Sequence, residues 1–204
     1  MSQLVVVDYG MGNVHSVLGG LRYLECEPEL SADPNTVAGA DALLLPGVGS
    51  FRKAMERLVE TGLADALREA VTIRRRKILG ICLGQQLMAE YGEEDGGHEG
   101  LGFISGKVTR LPAKRGVKVP HVGFNTVHFD PTSRLAAGLG QAVDVYFVHS
   151  YRLNVDTRPG LAALCDYDGD FVAAYEHENV FATQFHPEKS QTNGLRLLSN
   201  FLAQ

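Results

Sequence analysis

Tryptophan is absent from this sequence and cysteine is scarce: Cys26, Cys82 and Cys165 are the only three among 204 residues. The missing tryptophan carries no functional meaning, but the cysteines do. Three widely separated thiols without a Cys-x-x-Cys pair argue against a disulfide framework and a structural zinc site. Free thiols point to a reducing compartment, so a cytoplasmic protein is expected. Long apolar runs are lacking too. No stretch approaches the ~20 apolar residues of a membrane helix. The opening MSQLVVVDYG has no basic start and too short an apolar run for a signal peptide. Positive charge is in deficit, with 19 Lys and Arg against 24 Asp and Glu, a formal net charge of -5. That balance argues against nucleic acid or anionic membrane as the main partner.

What is present is the composition of a globular chain, 45% hydrophobic and 21% charged. A chain this long closes one core without staples, and no repeat or low-complexity linker divides it, so a single domain spanning 1–204 is predicted. Segment 4–8 (LVVVD) reads as a buried parallel strand and 9–13 (YGMGN) as a glycine-rich turn. Segment 14–24 reads as a helix, with Val14, Val17, Leu18, Leu21 and Leu24 at helical spacing. The unit recurs as strand 41–46 (DALLLP), turn 47–50 and a helix from Phe51, then as strand 77–82 (KILGIC) and a helix from Leu83. Strands alternating with helices predict an α/β fold, an open and mostly parallel sheet with helices on both faces. Beyond about Leu101 the pattern changes to strands at 107–111, 126–129, 143–148, 171–177 and 180–185, with a final helix at 191–202. Antiparallel additions to the sheet are predicted there. Sites in open α/β sheets form at the carboxyl ends of strands, which directs attention to YGMGN, PGVGS and the turn at Cys82.

Cys82 lies in Gly80-Ile81-Cys82-Leu83-Gly84, a G-x-C-x-G at a strand-to-helix junction. This is the pattern of a nucleophile elbow with Cys in place of Ser. Glycines let neighbouring backbone approach, the bend lifts the sulfur above the sheet edge, and the helix dipole favours the thiolate. The Leu83 N–H is then placed to donate to an oxyanion. Cys26 and Cys165 lack such glycines and read as structural. A thiolate nucleophile needs a proton carrier. His186 ends an apolar strand and is followed by Pro187-Glu188, so the Glu188 carboxylate reaches back to the imidazole and fixes its tautomer. The other histidines offer less. His15 falls on the first helix and His98 in a Gly/Glu-rich loop. His121, His128 and His177 lie in or near strands without an evident partner, and His149 follows an apolar strand as a substrate-side or structural residue.

The two motifs together resemble the signatures of the class I, triad-type glutamine amidotransferases. The likeness runs the length of the chain. DYGMGN (8–13), LPGVG (45–49), PHVGFN (120–125), YFVHSY (146–151) and HPEKSQ (186–191) are similar to the glutaminase subunits of imidazole glycerol phosphate synthases. Two positions depart from that pattern: Phe124 stands where Trp is usual and Gln85 where Met is frequent. Neither belongs to the Cys–His–Glu set, although Phe124 bears on partner contact.

The resemblance implies that Cys82 attacks the glutamine side-chain amide, with His186 as acid and base and Glu188 as its orienting group. The oxyanion would be held by Leu83 and by the Val48–Gly49 turn. Glutamine would be held by Gly49, Gln86 and Glu94, with His149 and Ser150 beside it. No cofactor and no metal are implied. The implied partner is a (β/α)₈-barrel cyclase, forming a heterodimer that uses the ammonia in histidine biosynthesis, and Asn13, Phe124 and Lys189 would face it. By composition alone, the acidic run Glu93-Glu94-Asp95 reads as a solvated loop. The basic run 74–77 reads as a solvated cap on a helix C-terminus. The competing readings are a stand-alone cysteine hydrolase, the glutaminase subunit of another biosynthetic complex, and a binding module with a relic triad. Ammonia release from glutamine, with and without a cyclase, separates them.

Overall fold

Segments 4–7, 42–47 and 77–82 carry apolar or small side chains at nearly every position, as strands covered on both faces require. A computed structural model describes residues 3–112, 117–155 and 159–204. In chain order the elements are β1 (Leu4–Val7), α1 (Val14–Tyr23), β2 (Glu29–Ser31), α2 (Pro34–Gly39), β3 (Ala42–Gly47), α3 (Phe51–Glu60), α4 (Leu63–Arg68), β4 (Lys77–Cys82), α5 (Leu83–Leu87), β5 (Ala89–Gly92), β6 (His98–Glu99), β7 (Ile104–Arg110), β8 (His121–His128), β9 (Ala142–His149), β10 (Tyr151–Asn154), β11 (Leu161–Asp166), β12 (Asp170–His177), β13 (Val180–Thr183) and α6 (Gln191–Leu202). Among the described residues no helix is long and apolar enough to cross a membrane.

Nine strands form one sheet in the order β2-β1-β3-β4-β13-β12-β11-β8-β9. The first five run parallel, and the remainder are added antiparallel. Successive strand residues face opposite sides, and two cores result. Val5, Leu43, Leu45 and Ile78 pack on one face with Val37 of α2, Met55 and Leu58 of α3 and Leu67 of α4. Leu4, Val6, Leu44, Leu79 and Ile81 pack on the other with Leu18 and Leu21 of α1 and Leu198 and Phe201 of α6. Leu43, Leu44 and Leu45 are fully buried, and truncating any of them to alanine costs about 2–5 kcal/mol.

Two expectations need correction. The strand expected at 107–111 is β7, and it lies outside the main sheet. It belongs to a separate four-stranded sheet, β10-β7-β5-β6, whose short β5 and β6 carry no readable alternation. The strand expected at 180–185 stops at Thr183. The basic run 74–77 does sit at a helix C-terminus, as expected: Arg74 is the C-cap of the helical turn Glu69–Ile73, and its N–H donates to the Glu69 carbonyl. Arg74 pairs with Glu69, Arg75 with Glu178 and Arg76 with Asp41, each partly exposed. Lys77 Nζ donates to the carbonyls of Phe201 (3.2 Å) and Leu202 (2.9 Å), closing the end of α6.

Gln85 on α5 is fully buried, and neither end of its amide has a hydrogen-bond partner among the described residues. Stranded polar groups of this kind cost about 1–3 kcal/mol each, and methionine has a similar length and volume. Gln85→Met is therefore expected to raise stability by about 1–3 kcal/mol, read as a higher urea midpoint at unchanged slope. A lower midpoint would show that the amide is satisfied in solution.

Candidate active site

The parallel strands β3, β4 and β13 lie side by side, with Gly47 paired to Cys82 and Ile81 to Thr183. Their carboxyl ends therefore open at one edge. The turn after β3, the bend after β4 and the segment after β13 meet there. Cys82 occupies the bend at φ 55°, ψ −110°, a left-handed conformation rare for a residue with a side chain. Holding it costs of order 1–3 kcal/mol. The neighbouring glycines make room: a Cβ on Gly80 would lie 2.8 Å from the Gly84 carbonyl group, and one on Gly84 would overlap the carbonyl oxygen of Leu45. Leu83 is the first residue of α5, so its N–H has no intrahelical acceptor and stays available.

His186 follows β13 by three residues. Its N–H donates to the Tyr146 carbonyl (2.9 Å), and its own carbonyl accepts from Ser190 Oγ (2.7 Å), which in turn accepts from Tyr146 N–H (2.9 Å). The loop is thus tied to β9. Nδ1 lies 2.7 Å from Glu188 Oε1, and both side chains are almost wholly buried. Nε2 has no other partner among the described residues and is the nitrogen free for Cys82. Burial works against a charge on this imidazole. The neighbouring Cys82 sulfur and the bonded Glu188 carboxylate outweigh it and hold the pKa at about 9. Because this value is raised from 6.5, the stability it contributes is full below 6.5 and is lost as pH rises through about 9. The same sign applies to any step that needs His186 as an acid. Glutamine turnover should persist to about pH 9 and then fall about tenfold per pH unit. A pH profile of kcat/KM checks this, and an alkaline limb near 6.5 would contradict it.

A pocket of about 330 Å³ opens over the sulfur, a size suited to a small molecule. Val48, Gly49, Cys82, Leu83, Gln86, Glu94, His149, Ser150 and His186 all line it. Gly49 adopts φ 108°, which an L side chain rarely tolerates. Glu94 is not a solvated loop residue: its Oε2 accepts from the Phe51 N–H (2.7 Å) at the start of α3. Burial pushes its pKa up, against the lowering effect of that bond. Glu188 stands behind His186, outside the pocket wall. The three residues expected to face a partner lie elsewhere. Asn13 bonds to Ser16 Oγ (2.8 Å), Phe124 is 53% exposed against the edge of Tyr146, and Lys189 is exposed. Cys26 and Cys165 do not line this pocket, and burial raises both thiols, Cys165 to about 12.

Sequence reasoning missed several contributors. Pro120, Val148 and Tyr151 also line the pocket. His121 has partners after all: its ring stacks on Phe147 and Tyr167, and Nδ1 meets His149 Nε2 at 3.0 Å. Burial lowers the pKa of both histidines to about 4. Gln184 is fully buried beside Cys82. Its two-residue spacing from His186 was the one available signal.

The class I glutamine amidotransferase family model matches residues 5–204, and the chain belongs to that family. The fold agrees with solved structures: a glutamine amidotransferase superposes with a TM-score of 0.77 at 22% identity, covering 98% of this chain and 97% of that one. Among curated relatives, imidazole glycerol phosphate synthase subunit HisH of Methylococcus capsulatus is 43% identical, covering 99% of this chain and 96% of its own length. The HisH subunit of Aquifex aeolicus is 45% identical, covering 97% and 94%. Within the class, the chain is a member of the HisH family.

Proposed function

We propose that this chain is the glutaminase subunit of an imidazole glycerol phosphate synthase, acting as one unit along its length. The observation that carries this reading is the placement of Cys82 and His186 in one pocket, with Glu188 bonded to the far side of the imidazole. The Cys82 thiolate attacks the side-chain carbonyl carbon of glutamine. The carbonyl oxygen becomes an oxyanion facing the Leu83 N–H and the Val48–Gly49 turn. His186 gives its proton to the departing nitrogen, ammonia leaves, and a glutamyl thioester remains. His186 then takes a proton from water, which attacks the thioester, and the proton passes to the sulfur as glutamate departs. Glu188 keeps Nδ1 protonated throughout, so Nε2 does the exchanging. Gln86 and Glu94 hold the substrate's polar ends.

Ammonia released into water is protonated and lost as a nucleophile, so a partner must cover the pocket. The surface suits that need. Val122 and Val148 are paired across β8 and β9, Phe124 shares the outer face of β8 with Val122, and all three are at least 36% exposed. An exposed apolar strip leading to a pocket rim marks a docking face. The partner is a (β/α)₈-barrel cyclase met by Asn13, Phe124 and Lys189, which uses the ammonia for histidine biosynthesis. Co-purification with such a cyclase, followed by glutaminase assay with and without acceptor, tests this. Completing one oxyanion donor is worth on the order of 10²-fold, and stimulation of that size is expected. Full activity without a partner, or none within the complex, would defeat the proposal.

A further inference from the structure

We infer that Gln184 is a positioning residue for the nucleophile: its side-chain amide presents an N–H to Cys82 Sγ, in an orientation dictated through Gln86 by the main-chain carbonyl of Tyr151. The inference rests on Cys82 being the nucleophile. The two ends of an amide look alike, so orientation must come from partners of known type. A backbone carbonyl only accepts. The Gln86 atom 3.1 Å from Tyr151 O must therefore be nitrogen. That nitrogen lies 2.9 Å from the Gln184 side chain. Amide nitrogen has no lone pair to offer another nitrogen, so the facing Gln184 atom is oxygen. The remaining Gln184 atom, 3.8 Å from Cys82 Sγ, is then the NH₂ group. Gln184 is fully buried and Gln86 almost so, which leaves neither amide free to turn over in water.

The same carbonyl fixes a second chain. His149 Nδ1, 2.8 Å from Tyr151 O, must carry a proton. In the neutral ring Nε2 is then bare, and it accepts from His121 Nδ1. One acceptor thus sets the polarity of the pocket wall on two sides. The sulfur is also faced by His186, by the buried Tyr9 and by the Val148 carbonyl oxygen at 3.9 Å, and the Gln184 N–H acts in addition to these. A fixed N–H stabilises a thiolate over a thiol, and fixed donors to a charged group are the stronger kind. Because Gln86 also lines the pocket, a substrate touching it bears on the group that faces the nucleophile.

The test is the pH dependence of Cys82 alkylation by iodoacetamide, followed by mass spectrometry on the full chain. Gln184→Met should shift the alkylation midpoint upward and slow the reaction at neutral pH roughly tenfold. In the assembled enzyme kcat should fall by a similar factor, with KM for glutamine little changed. Gln184→Glu, near in shape but negatively charged, should shift the midpoint further. An unmoved midpoint in either folded variant overturns the inference. Should neither variant fold, the wild-type chain serves, with the Gln184 side-chain amide followed by NMR. Its signals must titrate with the thiol, and signals indifferent to that titration overturn the inference. A shifted midpoint without glutamine hydrolysis in any complex would instead sink the glutaminase reading and leave the role of Gln184 standing.

Discussion

Cys82→Ala is expected to abolish glutamine hydrolysis, by roughly 10⁴-fold or more, while leaving ammonium-dependent synthesis by the assembled complex intact. The reason is positional. Cys82 is the one thiol in the pocket, whereas Cys165 is fully buried and its thiol is pushed up to about 12. On the proposed mechanism, removing the sulfur takes away the bond-forming atom and leaves the proposed docking face untouched, so only the step that frees ammonia should be lost. Glutamine-dependent and ammonium-dependent synthesis, measured on the same complex, check this. A glutamine-like electrophile such as 6-diazo-5-oxo-norleucine should label Cys82 in the wild type. Label found on Cys26 or Cys165, or loss of both syntheses in an intact complex, would require a different role for Cys82.

Gly84→Ala should be nearly as severe by another route. The added methyl would overlap the carbonyl oxygen of Leu45, which belongs to the backbone of β3 and has no side-chain freedom to yield. Either α5 moves off the sheet or β3 distorts, at a cost of about 3 kcal/mol or more. The start of α5 carries Leu83 and follows Cys82, so activity should fall further than stability does. Urea unfolding and glutamine turnover, measured together, test both halves. Gly19→Ala is the control: nothing lies within 4 Å of a Cβ there. In the helix interior alanine is favoured by roughly 0.5–1 kcal/mol, so a small gain is expected. Equal losses at both positions would mean that the bend is not the sensitive feature.

The sequence exposed much of this site because its signals are local. LVVVD, DALLLP and KILGIC are short apolar runs bounded by turns, and all three became parallel strands with ends within one residue of those expected. The glycines around Cys82 and the His-Pro-Glu segment are equally local. What stayed hidden depends on pairing between distant segments. The second sheet brings Ala89–Gly92 beside Ile104–Arg110, and neither β5 nor β6 is long enough to show a period. His121 gains its partner only because the β8–β9 register sets it opposite His149. Gln184 was passed over because its effect on the sulfur runs through a main-chain carbonyl, which every residue has and no motif records. Glu94 shows the reverse case: its acidic neighbours suggested exposure, and a bond to the Phe51 N–H turned it inward.

One of the two neighbours of β4 in the sheet is β13, which arrives a whole half-chain later and slots between β4 and β12, parallel to the first and antiparallel to the second. A polypeptide emerging from the ribosome thus shows its sulfur long before it owns an imidazole to work with. Until everything through Glu188 has been made and has settled into the gap, the nascent molecule is catalytically mute.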